Sequence, residues 1–181
     1  MNEGLIPRRY AKALYKFALE KGEDKKVYRL MTTLAQTFAQ TPSLQNAVAN
    51  PFVSTEDKTS LLITAAGAEN GDEIFTAFIK LLEENRRIDM AQNIAVDYAA
   101  LYRKENNIHR VTVTSAAPLD PAEEERLRKL ITAHLNGGTM EYYSAVNPDL
   151  IGGFTVNIDN EMLDASIANE LKQLRLNLIS H

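Results

Sequence analysis

Cysteine and tryptophan are absent from the sequence. Without cysteine there can be no disulfide, no thiolate metal ligand and no thiol nucleophile. Histidine is scarce: His109, His134 and His181 are scattered, and none has a carboxylate or a second histidine at metal-ligand spacing along the chain. All three are expected on the surface. Long apolar runs are missing as well. Stretches such as Ser60-Leu61-Leu62-Ile63-Thr64 fall far short of the roughly 20 residues a membrane-spanning helix requires. The opening run Met1-Asn2-Glu3-Gly4-Leu5-Ile6-Pro7-Arg8-Arg9 lacks the apolar core and cleavage site of a secretory signal, so a cytoplasmic location is expected. Nor is there a surplus of positive charge. The net charge is −4 and the pI about 5.5. Phosphate neutralisation dominates nucleic-acid affinity, so an acidic chain without a long basic stripe argues against that partner.

The signatures of chemistry are also wanting. No phosphate-binding loop of the Gly-x-x-x-x-Gly-Lys-Ser/Thr type occurs, and no Gly-x-Ser-x-Gly nucleophile motif. Gly152-Gly153 lies before a strand rather than between a strand and a helix, which marks a bulge or a close backbone approach. Glu123-Glu124-Glu125 belongs in the first turn of a helix, where the dipole favours acids, so it is not read as a metal site. Arg86-Arg87 suits a helix C-terminus, and Tyr98 and Tyr102 stand at helical spacing as core or interface residues. No base stands beside a nucleophile. No catalytic residue, cofactor or metal is therefore assigned, and the function is expected to lie in surfaces.

What the 181 residues do contain is periodicity, with 45% hydrophobic and 24% charged residues. Tyr10, Ala13, Leu14, Phe17 and Ala18 form one stripe of a first helix that Gly22 ends. Val27, Leu30, Met31, Leu34, Ala35 and Phe38 form a second. Thr41-Pro42 opens a short third helix, stopped before Pro51. Ser54-Thr55-Glu56-Asp57 opens a fourth, with Leu61, Leu62 and Ala65 facing inward and Gly67 as its stop. Asn70-Gly71-Asp72 caps a fifth with the stripe Ile74, Phe75, Phe78, Leu81, Leu82. Asp89 caps a sixth with Ala91, Ile94, Ala95, Tyr98, Leu101 and Tyr102.

At Asn106-Asn107 the period changes. Ile108 to Ala116 alternates and is rich in β-branched residues, so it reads as a strand. A helix follows with Leu127, Leu130, Ile131 and Leu135 inward, then strands over Met140 to Val146 and Ile151 to Ile158. A short strand near Met162-Leu163 precedes a last helix with the narrow seam Ile167, Leu171, Leu174, Leu178. The expected fold is an all-α N-terminal six-helix bundle, residues 1–105, followed by a small α+β C-terminal domain, residues 106–181.

Five segments carry a family resemblance. Arg9-Tyr10-Ala11-Lys12-Ala13-Leu14-Tyr15-Lys16-Phe17-Ala18 resembles the opening helix of the delta (oligomycin-sensitivity-conferring) subunits of F-type ATP synthases. Asn50-Pro51-Phe52-Val53-Ser54 with Lys58, Phe78 to Arg87, and Val111 to Ala116 resemble later pieces of that family. The most specific piece is Asn147-Pro148-Asp149-Leu150-Ile151-Gly152-Gly153-Phe154-Thr155-Val156, followed by Asp164-Ala165-Ser166-Ile167. The chain departs from the family in having Ala165 where glycine is common, no basic residue beside Asn157, and only Lys172 and Arg175 as basic residues of the last helix.

The resemblance implies a non-catalytic stator subunit, peripheral at the cytoplasmic face of the cell inner membrane. It implies that the helical domain receives alpha-subunit N-terminal segments, with Tyr10, Ala13, Leu14, Phe78 and Leu81 as candidates. It implies that the C-terminal domain holds the peripheral-stalk b subunits, with Gly153, Phe154, Leu171, Leu174 and Leu178 as candidates. A helical adaptor for an unrelated partner explains the periodicity equally well but not the C-terminal signature. A nucleic-acid reader is opposed by the acidic charge, and a small enzyme by the missing constellation.

Overall fold

The computed structural model describes residues 4–69, 72–135 and 137–179, with residues 174–179 described by their backbone alone. The chain divides into two compact units, Met1–Arg103 and Lys104–His181. The first is all-helical: α1 (Leu5–Lys21), α2 (Asp24–Gln40), α3 (Pro42–Ala49), α4 (Thr55–Ala65), α5 (Glu73–Glu84), a 3-10 turn (Ile88–Met90) and α6 (Ala91–Glu105), whose last residues enter the second unit.

Local chemistry sets these boundaries. Gly22 takes the left-handed conformation (φ 70°), letting its own N–H and that of Glu23 bond back to Leu19 and Ala18. Ser54 Oγ accepts from Asp57 N–H at 3.1 Å and so caps α4. Asp72 anchors the approach to α5. Its carboxylate takes Lys26 Nζ of α2 at 2.7 Å and the Glu69 N–H at 2.7 Å. Residues 70 and 71 of the turn expected before α5 lie outside the described residues.

The stripe residues Leu34, Phe75, Leu82, Ile94 and Tyr98 are all fully buried, and so is Ile79, which the expected stripe of α5 did not include. Tyr98 and Tyr102 are core, with Tyr102 stacked on Tyr28 at 4.1 Å. Burial pushes the Tyr98 hydroxyl well above the usual tyrosine range. Two expectations fail here. Leu61 is exposed and Ala65 only half-buried, because α4 turns its inner face through Leu62. Asp89 is not the residue before α6: it sits within the 3-10 turn (Ile88–Met90) that runs directly into that helix.

The second unit contains β1 (Ile108–Ser115), α7 (Pro121–His134), β2 (Thr139–Val146), a 3-10 turn (Pro148–Leu150), β3 (Gly153–Ile158), β4 (Glu161–Ser166) and α8 (Ile167–Ile179). The sheet order is β2-β1-β3-β4. The α7 crossover makes β1 and β2 parallel, whereas β1–β3 and β3–β4 are antiparallel. Val111, Val113 and Val156 pack with Ile131 of α7 and with Leu135 just after its end. Asp120 and Glu123 form a reciprocal capping box at the start of α7, with Glu123 and Glu124 in its first turn.

Further differences from expectation follow from tertiary contacts. Leu130 is 68% exposed rather than in the core. Ile151 is not in a strand; it takes a positive φ of 66° in the turn before β3. The last strand runs the full length of Glu161–Ser166. His109 does have a carboxylate neighbour: Asp159 Oδ2, fifty residues away, lies 2.7 Å from its Nδ1.

Candidate functional site

Two apolar grooves stand out, one in each unit. The first lies between α1 and α5 and has a volume of about 410 Å³. Tyr10, Ala13, Leu14, Phe78 and Leu81, separated by more than sixty residues of sequence, all line it. Phe17, Ile74 and Ala77 complete the lining. The Tyr10 and Phe78 rings meet edge to face, with centroids 6.4 Å apart. Leu14 and Phe78 are buried and form the base, whereas Ala13 and Leu81 open to solvent, Leu81 at 45%.

This geometry follows from helical spacing. Each helix has an apolar arc wider than the bundle core can cover, so residues on its shoulder remain outside. On α1 the shoulder is Tyr10, Ala13 and Phe17; on α5 it is Ile74, Ala77 and Leu81. Ala13 and Ala77 are small, so a channel stays open where larger residues would fill it. Phe17, Ile74 and Ala77 were not among the expected contacts. The spacing signal was present, because each stands three or four residues from an expected one.

The second groove, about 400 Å³, lies between α7 and the face of β3 and β4. Leu127, Leu130, Phe154, Met162 and Leu163 dominate it, with His134 and Glu161 adding polar groups. Leu130, Met162 and Leu163 are each more than 60% exposed. Monomeric proteins rarely leave such neighbouring side chains uncovered. Of the residues expected to contact the stalk, Phe154 alone lines this groove. Leu171 is exposed on α8, and the side chains of Leu174 and Leu178 lie outside the described residues.

Gly153 has a structural task. Its φ is 73°, and a Cβ there would overlap the Ala165 carbonyl oxygen of the paired strand. Of the two readings of the glycine pair, a bulge or a close backbone approach, this is the second. The Asp164-Ala165-Ser166-Ile167 segment also has a local role. Ser166 Oγ donates to Asp164 Oδ1 at 2.6 Å and accepts from the Asn169 N–H at 3.2 Å, which caps α8. The Ser166 hydroxyl, and then its N–H, hold the Asp164 carboxyl below the usual carboxylate range. Among the described residues, no three His, Cys, Asp or Glu side chains cluster as metal ligands, and no helix is long and apolar enough to cross a membrane.

The family profile described as "ATP synthase delta (OSCP) subunit" matches residues 6–178. The chain is similar to the ATP synthase subunit delta of Parabacteroides distasonis, 39% identical over 100% of this chain and 99% of the relative. It is similar to that of Bacteroides fragilis at 38%, over 99% and 96%. The mitochondrial ATP synthase subunit 5 of Yarrowia lipolytica is 29% identical, over 91% and 78%. In fold, the chain resembles one in the cryo-EM structure of the Toxoplasma gondii mitochondrial ATP synthase hexamer, with a TM-score of 0.73 and 22% identity over 96% of this chain and 97% of that one.

Proposed function

The chain belongs to the ATP synthase delta (OSCP) subunit family, and on that premise we propose that it is the non-catalytic stator subunit joining the catalytic head to the peripheral stalk. Its first unit is read as a six-helix bundle, residues 1–105, that receives an alpha-subunit N-terminal segment as an amphipathic helix in the α1–α5 groove. Its second unit, residues 106–181, holds the b subunits through the apolar surface around Phe154 and the exposed part of α8. The chain reaches the cytoplasmic face of the membrane only as part of the complex.

The observation that carries this reading is the convergence of Tyr10, Ala13, Leu14, Phe78 and Leu81 on one apolar channel. A helix seated by its apolar face is a recurrent mode of peptide recognition, read through anchors at i, i+3, i+4 and i+7. Burying the exposed apolar area at about 25 cal/mol per Å² supplies the attraction without any hydrogen bond along the channel.

The test is calorimetric titration of the full chain with a peptide of the alpha-subunit N-terminus from the same organism. One saturable site is expected, lost in Leu81→Asp. Because Leu81 is 45% exposed, that variant should keep its helical content and melting behaviour. A folded chain that takes up no peptide, or binding indifferent to Leu81→Asp, would move the head contact elsewhere.

A further inference from the structure

We infer that a basic row on α1, made by Arg9, Lys12 and Lys16, fixes the direction in which a helix lies in the α1–α5 groove and selects one with carboxylates along the edge facing α1. The inference rests on the groove being a helix-binding site, as proposed above.

The charge distribution is the first observation. α1 carries five basic residues (Arg8, Arg9, Lys12, Lys16, Lys21) and a single acid, Glu20, in a chain whose net charge is −4. Two of the five have other company. Arg8 lies near Asp97 of α6, and Lys21 Nζ sits 5.8 Å over the Phe17 ring. Arg9, Lys12 and Lys16 are exposed and, among the described residues, take part in no ion pair or hydrogen bond.

Their position is the second. Arg9 precedes Ala13 by four residues and Lys16 follows it by three, so both stand in the row beside the solvent-open lining residue of the groove. Lys12 links them at i+3 and i+4. The equivalent row on α5, beside Ala77, is Glu73, Lys80 and Glu84. One lip of the groove is therefore uniformly basic and the other mixed with an acidic excess.

Nothing in α1 itself accounts for the row. Basic residues near a helix N-terminus oppose the dipole, and like charges at i,i+4 repel. α1 has no acid in its first turn and no side-chain cap bond to offset this. A local choice that costs the element stability points to a task outside it.

An occupant helix with its apolar face down can lie in two directions. Reversing it end for end exchanges its two edges while leaving the apolar face in place. An apolar channel alone cannot tell these apart, but a basic lip opposite a mixed one can. Rim charges act on encounter and orientation more than on raw affinity.

The experiment uses the full chain and two synthetic amphipathic peptides with the same apolar face, one with a row of glutamates along one edge and one with lysines there. The glutamate peptide should bind about tenfold tighter at low salt, with the gap narrowing at high salt, and Arg9→Glu/Lys16→Glu should reverse the order. A nitroxide on the peptide N-terminus should broaden amides at one end of α1, and moving the glutamate row to the opposite edge should shift that broadening to the other end. Equal affinities, or broadening that stays put, would overturn the inference while leaving the groove in place. Failure of both peptides and of the alpha-subunit peptide to bind would overturn the groove reading as well. Binding of the full chain to anionic phospholipid vesicles, lost in the double variant, with no preference between the peptides, would overturn the inference and assign the row to a lipid surface instead.

Discussion

Two glycines with nearly the same backbone conformation have different consequences. Gly22 and Gly153 have φ of 70° and 73°, but a Cβ at Gly22 would meet open space, whereas one at Gly153 would strike the Ala165 carbonyl of the neighbouring strand. Gly22→Ala should cost about 1 kcal/mol of left-handed strain. Gly153→Ala should cost about 2–3 kcal/mol or more, since the β3–β4 pair must also shift. Amide hydrogen exchange separates the two. Gly153→Ala should speed exchange across β3 and β4 and leave α1–α5 unchanged, and unaltered protection in those strands would show that the close approach is relieved at no cost. The glycine pair before a strand was legible in the sequence as a bulge or a close approach. Which atom it approaches was not, because Ala165 becomes its neighbour only when β4 pairs with β3.

At the scale of elements, ends and faces were read with unequal success. Stops such as Gly22 and Pro51, and caps such as Ser54, are local chemistry, and their positions follow from a few adjacent residues. Faces depend on what covers them. Leu61 and Leu130 sit on apolar stripes, yet both lie on shoulders that no neighbouring element reaches.

The junction between α2 and α5 is another feature that spacing cannot show. Lys26 and the Glu69 N–H hold the Asp72 carboxyl below its ordinary value of 3.8. A carboxyl with a depressed native pKa stabilises the fold above its unfolded pKa and loses that effect as pH falls through the native value. Asp72→Asn should therefore melt at a lower temperature than the parent at neutral pH, with the difference full above pH 3.8 and closing below it. Thermal melts across that range check the prediction, and a pH-independent difference would mean that shape, not charge, matters at this position.

For the whole molecule, the proposed function makes a bivalent clamp of two units that each hold one partner. A short connector raises the effective concentration of the second binding event to roughly millimolar, so each hold reinforces the other. Cutting the chain at a protease site inserted at Asn106-Asn107 should weaken coupling between head and stalk while leaving the ATPase activity of the isolated head unchanged. Rotor-coupled ATP synthesis in reconstituted membranes is the measurement, and undiminished coupling after complete cleavage would remove the clamp argument.

The sequence by itself determined which segments become helices and strands and where most of them stop. Those outcomes rest on periodicity, capping groups and backbone restrictions within a few residues of one another. It also carried the family, because five motifs in register need no coordinates to be seen. Only the tertiary structure decided that Phe17, Ile74 and Ala77 complete the channel between α1 and α5, that Asp159 finds His109, and that Leu127, Leu130, Met162 and Leu163 share an open face with Phe154. The physical reason is that a groove is what packing leaves uncovered. A helical period fixes the direction in which an apolar side chain points, and only the neighbouring elements fix whether anything stands there to bury it.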